Sequence, residues 1–436
     1  MNKPVLLLMA PVTTVSGYGA RSRDIAWALI KSDKYDVKIW PTRWGNTPMN
    51  ALSDNNPKHK AIYDRLLPEP KLHQQPEIFI QITVPNEFQK VGKYNIGITA
   101  GIETTMASGP WIEGCNRMDL VLTSSEHSKK VLQQSAWTQV DNNTKQPIGE
   151  LRLTTPIEVL FEGVDLETYF KTSEIHKTVA DQLKQVKEDF AFLYVGHWLN
   201  GEIGEDRKNV GMLIRTFLEA FKGKASHNQP ALILKTSHAD FSPIDRAELL
   251  KKIDMIYKST NTTKSLPNVY LLHGDLTDDE MNSLYNHPKV KAHITFTKGE
   301  GYGRPLAEAG VSQKPIIAPN WSGHIDFLKH GVLLPGQLTK VHPSAAWDQV
   351  ILQESEWMTV DYGVAGGMMR SMVDDYKNYL EGARKQSTVI KKEFSFDVMY
   401  DKLHNILDTK VPEFPKQVQL KLPQLKKIEL PKLQKV

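Results

Sequence analysis

The segment Lys298-Gly-Glu-Gly-Tyr-Gly-Arg-Pro-Leu-Ala-Glu308 gathers two carboxylates eight positions apart, three glycines and a proline suited to the first turn of a helix. Glycine lets backbone approach a bound group closely. A helix N-terminus offers unpaired N–H groups to phosphate. Glu300 falls in the loop and Glu308 one turn inside the helix, so both can address one pocket. Carboxylates there would accept hydrogen bonds from sugar hydroxyls. The same spacing also fits a glycine-rich turn with a solvated glutamate at each end, and the residue types leave both readings open.

Several frequent chemistries are missing. There is no D-x-D triplet for metal-dependent GT-A sugar transfer and no Cys/His cluster for zinc. G-x-x-x-x-G-K-[ST] and a serine nucleophile elbow are absent too.

The elements that must position these residues follow from periodicity. Val5–Met9 reads as a buried strand, Gly17-Tyr18-Gly19 as a turn, and Arg21–Lys31 as an amphipathic helix. Val37–Trp40, Ile78–Val84, Tyr94–Thr99 and Asp119–Thr123 read as further strands. Polar Gln139–Glu150 reads as a surface loop or insertion, Ile157–Leu160 as a strand, and Thr172–Glu188 as a connector. The pattern restarts with strand Phe192–Val195, helix Val210–Phe221, and strands Ala231–Lys235 and Val269–His273. Helix Asp278–Tyr285, strand Ala292–Phe296, helix Pro305–Val311, strand Pro315–Ala318 and a terminal helix Phe394–Leu407 follow. Strand, crossover helix, strand in succession implies parallel sheets. The expected fold class is therefore α/β, with two doubly wound Rossmann-like domains facing a central cleft.

Lys and Arg total 54 and Asp and Glu 50 among 436 residues, a net charge of +4. Residues 411–436 alone carry six lysines against Glu413 and Glu429, so residues 1–410 are formally neutral. This argues against a broadly basic nucleic-acid-coating protein. Prolines 412, 415, 423 and 431 preclude a continuous helix in this tail. It reads as an extended or disordered segment that solubilises, or that docks an acidic partner, a membrane surface or a nucleic acid. The single Cys115 cannot form an intramolecular disulfide and fits a reducing, cytoplasmic setting. No apolar run approaches the roughly 18 residues that cross a bilayer.

Here a resemblance enters. Gly-Glu300-Gly-Tyr-Gly-Arg-Pro-Leu-Ala-Glu308-Ala resembles the E-x7-E signature of retaining GT-B glycosyltransferases, in particular the glycogen-synthase-like and sucrose-synthase-like group, family 4. Lys314-Pro-Ile-Ile-Ala-Pro and Ser322-Gly-His resemble the strand and turn that follow it. Ile157-Glu-Val-Leu-Phe-Glu-Gly-Val-Asp165, Tyr194-Val-Gly-His197 with Arg207-Lys-Asn-Val, and Leu271-Leu-His-Gly-Asp resemble further segments of that group in the proper order. So do Ile102-Glu103 through Trp111 and Thr123-Ser-Ser-Glu-His-Ser128. The resemblance spans roughly residues 1–408.

It implies an acceptor-side domain at 1–175 and a nucleotide-sugar domain at 190–392. A terminal helix at 393–410 would pack back on the first domain, ahead of the tail at 411–436. The donor would be a UDP- or GDP-sugar, with no cofactor or metal required. Hexosyl or pentosyl transfer would go to an acceptor hydroxyl with retention. The acceptor stays open among glycan, lipid, small molecule, protein and DNA base. A nucleotide-sugar 2-epimerase-like isomerase and a non-catalytic binding module are the competing readings.

By position, Arg207 and Lys208 would hold the diphosphate, Glu300 the sugar hydroxyls and Glu308 the ribose. Glu103 would serve the acceptor side. Gly17, Gly19, Gly301, Tyr302 and Gly303 would border the donor, with Lys235 and His273 at strand ends. His197 stands where the family often has Arg. Arg304 stands where an apolar residue is usual, and either adds charge near the donor or points to solvent. His127 either caps a helix or packs. Trp40, Trp44 and Trp111 offer stacking surfaces or core.

Overall fold

The computed structural model describes residues 3–141, 143–225, 229–238 and 241–414. The N-terminal domain runs β1 (Val5–Ala10), α1 (Gly17–Lys31), β2 (Asp36–Pro41), α2 (Pro57–Tyr63), β3 (Ile78–Ile82) and β4 (Tyr94–Thr99). It continues with α3 (Gly109–Asn116), β5 (Leu120–Thr123), α4 (Glu126–Gln134), β6 (Ala136–Val140), β7 (Pro147–Arg152) and β8 (Ile157–Val159). Its six-stranded sheet is parallel throughout, in the order β2-β1-β3-β4-β5-β8. Leu6, Leu7 and Leu8 are all buried, because helices cover both faces of the sheet.

The second domain, after α5 (Lys177–Leu183), runs β9 (Ala191–Val195), α6 (Val210–Phe221), β10 (Ala231–Lys235) and α7 (Pro243–Ser259). Then come β11 (Val269–Leu272), α8 (Asp278–Asn286), β12 (Val290–Ile294), α9 (Arg304–Gly310), β13 (Ile316–Pro319) and β14 (Val332–Leu334). Its sheet is also parallel, in the order β11-β10-β9-β12-β13-β14. Strand order reverses between β9 and β12. In such sheets that switch point opens the crevice that receives ligands.

An antiparallel pair, β15 (Gly336–Lys340) and β16 (Glu356–Val360), leaves this domain toward the first. Thr105 and Glu356 exchange two hydrogen bonds at 2.9 Å, and the Ser108 hydroxyl donates to Gln349 O at 2.8 Å. Helices α10 (Tyr362–Asp374) and α11 (Tyr376–Glu393) complete the second domain, and α12 (Phe396–Lys410) crosses back. The Phe396 N–H donates to Val164 O at 2.8 Å, and a ring nitrogen of His404 lies 3.2 Å from Ala28 O. Among the described residues no helix is long and apolar enough to cross a membrane.

Three local expectations are corrected. Gly17–Gly19 is the first turn of α1, because the Ser16 hydroxyl caps it by accepting from Gly19 N at 2.9 Å. Gln139–Glu150 is largely the β6–β7 hairpin, whose Trp137 and Leu151 pack inward while Val140 and Ile148 are exposed. The 172–188 connector contains α5, anchored by buried Val179 and Leu183. Of the basic tail, residues 415–436 lie outside the described residues. Val411 and Phe414, just before them, pack against the main hydrophobic core.

Candidate functional site

The glycine-rich loop leaves β12 beside the switch point and enters α9. Two of its glycines, Gly299 and Gly301, face the backbone of the first domain. A Cβ on Gly299 would lie 1.9 Å from Glu103 O, and one on Gly301 would lie 2.3 Å from Ala100 O. Both positions therefore admit the backbone of the facing domain. The Ser124 hydroxyl reinforces the contact by donating to Gly301 O at 3.1 Å. Gly303 begins α9 with a left-handed φ of 97°.

Glu300 is nearly buried and accepts from the Lys208 ammonium, with Arg207 Nη1 3.5 Å away. Arg207 also donates to Gly299 O at 3.0 Å and lies 3.5 Å from Glu103 of the first domain. Burial pushes the Glu300 carboxyl upward, but Lys208 and then Arg207 outweigh it and hold the pKa at about 2. Glu300 is thus a fixed anion between two cations. Glu103, Arg207, Lys208 and Glu300 form one group, and it spans both domains.

Glu308 behaves differently. Its Oε1 accepts from Arg304 Nε at 2.7 Å, and its Oε2 accepts from the Tyr285 hydroxyl at 3.3 Å. Burial raises its pKa to about 7, with Arg304 opposing. Arg304 neither points to solvent nor stands free for phosphate. Its Nη1 lies 2.5 Å from Asp24 on α1 and 3.9 Å from Glu162, both in the first domain. A small cavity bordered by Lys208, Glu300, Gly303, Tyr285 and His293 lies between the Glu300 group and the Tyr285 that holds Glu308.

The remaining candidates scatter. His197 sits at the end of β9, its Nδ1 3.3 Å from the Ser237 hydroxyl. Burial, and after it Lys208, depress its pKa, so it is neutral where a guanidinium is usual. Lys235 is committed to Gly274 O at 2.7 Å and to the Phe241 ring. His273 belongs to another cluster, its Nε2 2.7 Å from Asp245, which also meets His238 Nδ1 at 2.7 Å. Tyr302 is a core residue packed on Phe327. Gly17 is exposed with open space around it, whereas Gly19 is pressed against Thr14. His127 meets Trp321 of the other domain edge-on at 4.7 Å. Trp111 is core, and Trp44 stacks on Tyr18 at 3.8 Å.

Sequence reading missed Asp24, Glu162 and Tyr285. Asp24 carries no motif, only a polar position on α1. Glu162 was in view within the Phe-Glu-Gly-Val-Asp step, but its partner Arg304 is remote in sequence. Buried Arg21 stands behind them, donating to the Leu160 and Phe161 carbonyls.

No protein-family model matches the chain, and no curated protein matches it. Solved structures do. Sucrose-phosphate synthase from Thermosynechococcus elongatus superposes with a TM-score of 0.60 at 13% identity, covering 93% of this chain and 98% of that one. Anabaena HepE in complex with UDP and glucose gives 0.57 at 13%, covering 93% and 99%. The trehalose-6-phosphate synthase OtsA gives 0.57 at 13%, covering 94% and 100%. The fold is therefore GT-B, with its two Rossmann-like domains.

Proposed function

We propose that the chain is a retaining glycosyltransferase that moves a hexosyl or pentosyl group from a UDP- or GDP-sugar to an acceptor hydroxyl. One observation carries the reading. Glu300 is held as an anion by Arg207 and Lys208 at the switch point of the second sheet, and Glu308 follows it inside the next helix. The complexes of structurally similar proteins with UDP, and with UDP and glucose, support a nucleotide-sugar donor.

The chemistry follows from the charges. Arg207 and Lys208 meet the diphosphate as the anomeric carbon–oxygen bond breaks and negative charge builds on the leaving oxygen. His197 is neutral and adds no charge, so this work falls to the cations of the 202–208 loop. With a pKa of about 2, Glu300 is neither a general acid nor a general base near neutrality. It accepts hydrogen bonds from the transferred sugar. The leaving phosphate takes the acceptor hydroxyl's proton as that oxygen bonds the anomeric carbon on the same face. The interlocked loops at Ala100–Glu103 and Gly299–Gly301 exclude water that would otherwise hydrolyse the donor.

The test is nucleotide release from a panel of UDP- and GDP-sugars, with and without candidate acceptors, and NMR of the product anomer. Acceptor-dependent release with retained configuration supports the reading. Inversion, or conversion of the sugar nucleotide to its 2-epimer, refutes it.

A further inference from the structure

We infer that Arg304 is a positioning residue that ties the Glu308 carboxylate to the opposite domain, so that Asp24 governs recognition of the nucleotide's ribose hydroxyls without touching the nucleotide. This rests on the donor-site reading above.

A guanidinium is a rigid planar fork, and its Nε and Nη groups address different partners at fixed angles. Here Nε holds Glu308 Oε1 at 2.7 Å and Nη1 holds Asp24 Oδ2 at 2.5 Å, with Glu162 at 3.9 Å. The plane of Arg304 cannot turn without loosening one of these contacts. Glu308 Oε1 is thereby fixed, and Oε2 is left with one long contact, 3.3 Å, from Tyr285. Oε2 is the oxygen with remaining capacity for a ligand hydroxyl.

The local charge makes the tie consequential. Asp24, Glu162 and Glu308 converge on Arg304, while the Arg21 side chain is spent on the Leu160 and Phe161 carbonyls. Arg304 is the cation in contact with all three, while the charge of Arg21 also acts on Glu162. Burial weighs against ionisation of Glu308, and a protonated carboxyl is a poorer acceptor for a diol. Arg304 opposes that effect of burial and orients Glu308, and it holds its own place through Asp24.

The experiment is calorimetric titration of the full chain with UDP and GDP and with their 2′-deoxy and 3′-deoxy forms. The proteins are wild type, Asp24→Asn, Arg304→Leu and Arg304→Lys. Wild type is expected to prefer the ribose form of its nucleotide by roughly tenfold, the net worth of about one hydrogen bond. All three variants are expected to bring that preference to within about twofold, Arg304→Lys included, because it keeps the charge but not the fork. A merely structural role weakens ribose and deoxyribose forms equally and leaves their ratio at the wild-type value. That result in Asp24→Asn overturns the inference and spares the donor-site reading. Failure of the wild type to bind UDP or GDP at all overturns both.

Discussion

Arg207 Nη1 lies 3.5 Å from Glu103 on one domain and 3.5 Å from Glu300 on the other, so one guanidinium serves a carboxylate on each side of the cleft. On the proposed donor-site reading, an incoming diphosphate competes with Glu103 for that cation. Glu103→Gln is expected to tighten nucleotide binding two- to fivefold, matching the roughly 0.5–1 kcal/mol of a partly exposed ion pair. Arg207→Ala is expected to cost about 10²–10³ in kcat, the usual toll for deleting a group that meets developing charge. Titration calorimetry and steady-state transfer rates check the two. Weaker nucleotide binding in Glu103→Gln would contradict the competition.

The glycine at 301 gives a second test. An alanine Cβ there would sit 2.3 Å from Ala100 O, so the Gly301→Ala loop cannot seat against the first domain. The three atoms nearest that Cβ all belong to the first domain. Nucleotide affinity is expected to stay within about threefold while transfer falls about 10²-fold, the scale set by roughly 1 Å of misplacement. Equal losses in affinity and rate would show that the glycine borders the ligand after all.

How much of this was legible in the sequence depended on range. Strand ends agree to within two residues, because a buried parallel strand is a continuous apolar run bounded by polar turns. Arg207, Lys208 and Glu300 were in view through the motifs they share with the resembled family, and the structure brings these three together, while Glu308 stands with Arg304 and Tyr285. Arg304 was ambiguous, since its partners Asp24 and Glu162 are remote in sequence and only the folded domains bring them together. The close domain contact of the glycine loop was not legible for a related reason. Period and composition say that a backbone must come close there, but not whose backbone. Helix α5 was hidden by its polar composition, with only Val179 and Leu183 turned to the core.

Glu308 sets a pH dependence. Burial raises its pKa to about 7, Arg304 opposes this, and Asp278 and Asp24 push the same way as burial. The sign follows from linkage. Between the ordinary carboxylate value, 4.5, and about 7 the folded protein binds a proton that the unfolded chain has lost. Stability from this group therefore falls as pH rises through that window. On the proposed ribose role of Glu308, donor binding moves the opposite way, since the ionised carboxylate is the better acceptor for ribose hydroxyls. Donor KM is expected to fall as pH rises from 6 to 8, read with an intact sugar nucleotide, which lacks the terminal phosphate group that titrates near 6. In Glu308→Gln the slope should vanish. A slope that survives belongs to another group.

The tail yields the last prediction. Val411 and Phe414 pack on the core, so the functional boundary lies after Phe414 and not at the end of α12. A chain ending at Lys410 loses two partly buried apolar side chains. It is expected to be about 1–3 kcal/mol less stable, part of the transfer energy of two such groups. A chain ending at Phe414 keeps them and loses lysines 416, 421, 426, 427, 432 and 435. Its thermal midpoint and its transfer to a small free acceptor are expected to match the full chain, because the Arg207, Lys208 and Glu300 group lies wholly within the neutral body. Any deficit of the Phe414-ended chain should then appear only with a large or surface-bound acceptor, and should be mimicked by raised salt, which screens lysine contacts. Loss of donor turnover in that chain would place the tail inside the catalytic machinery.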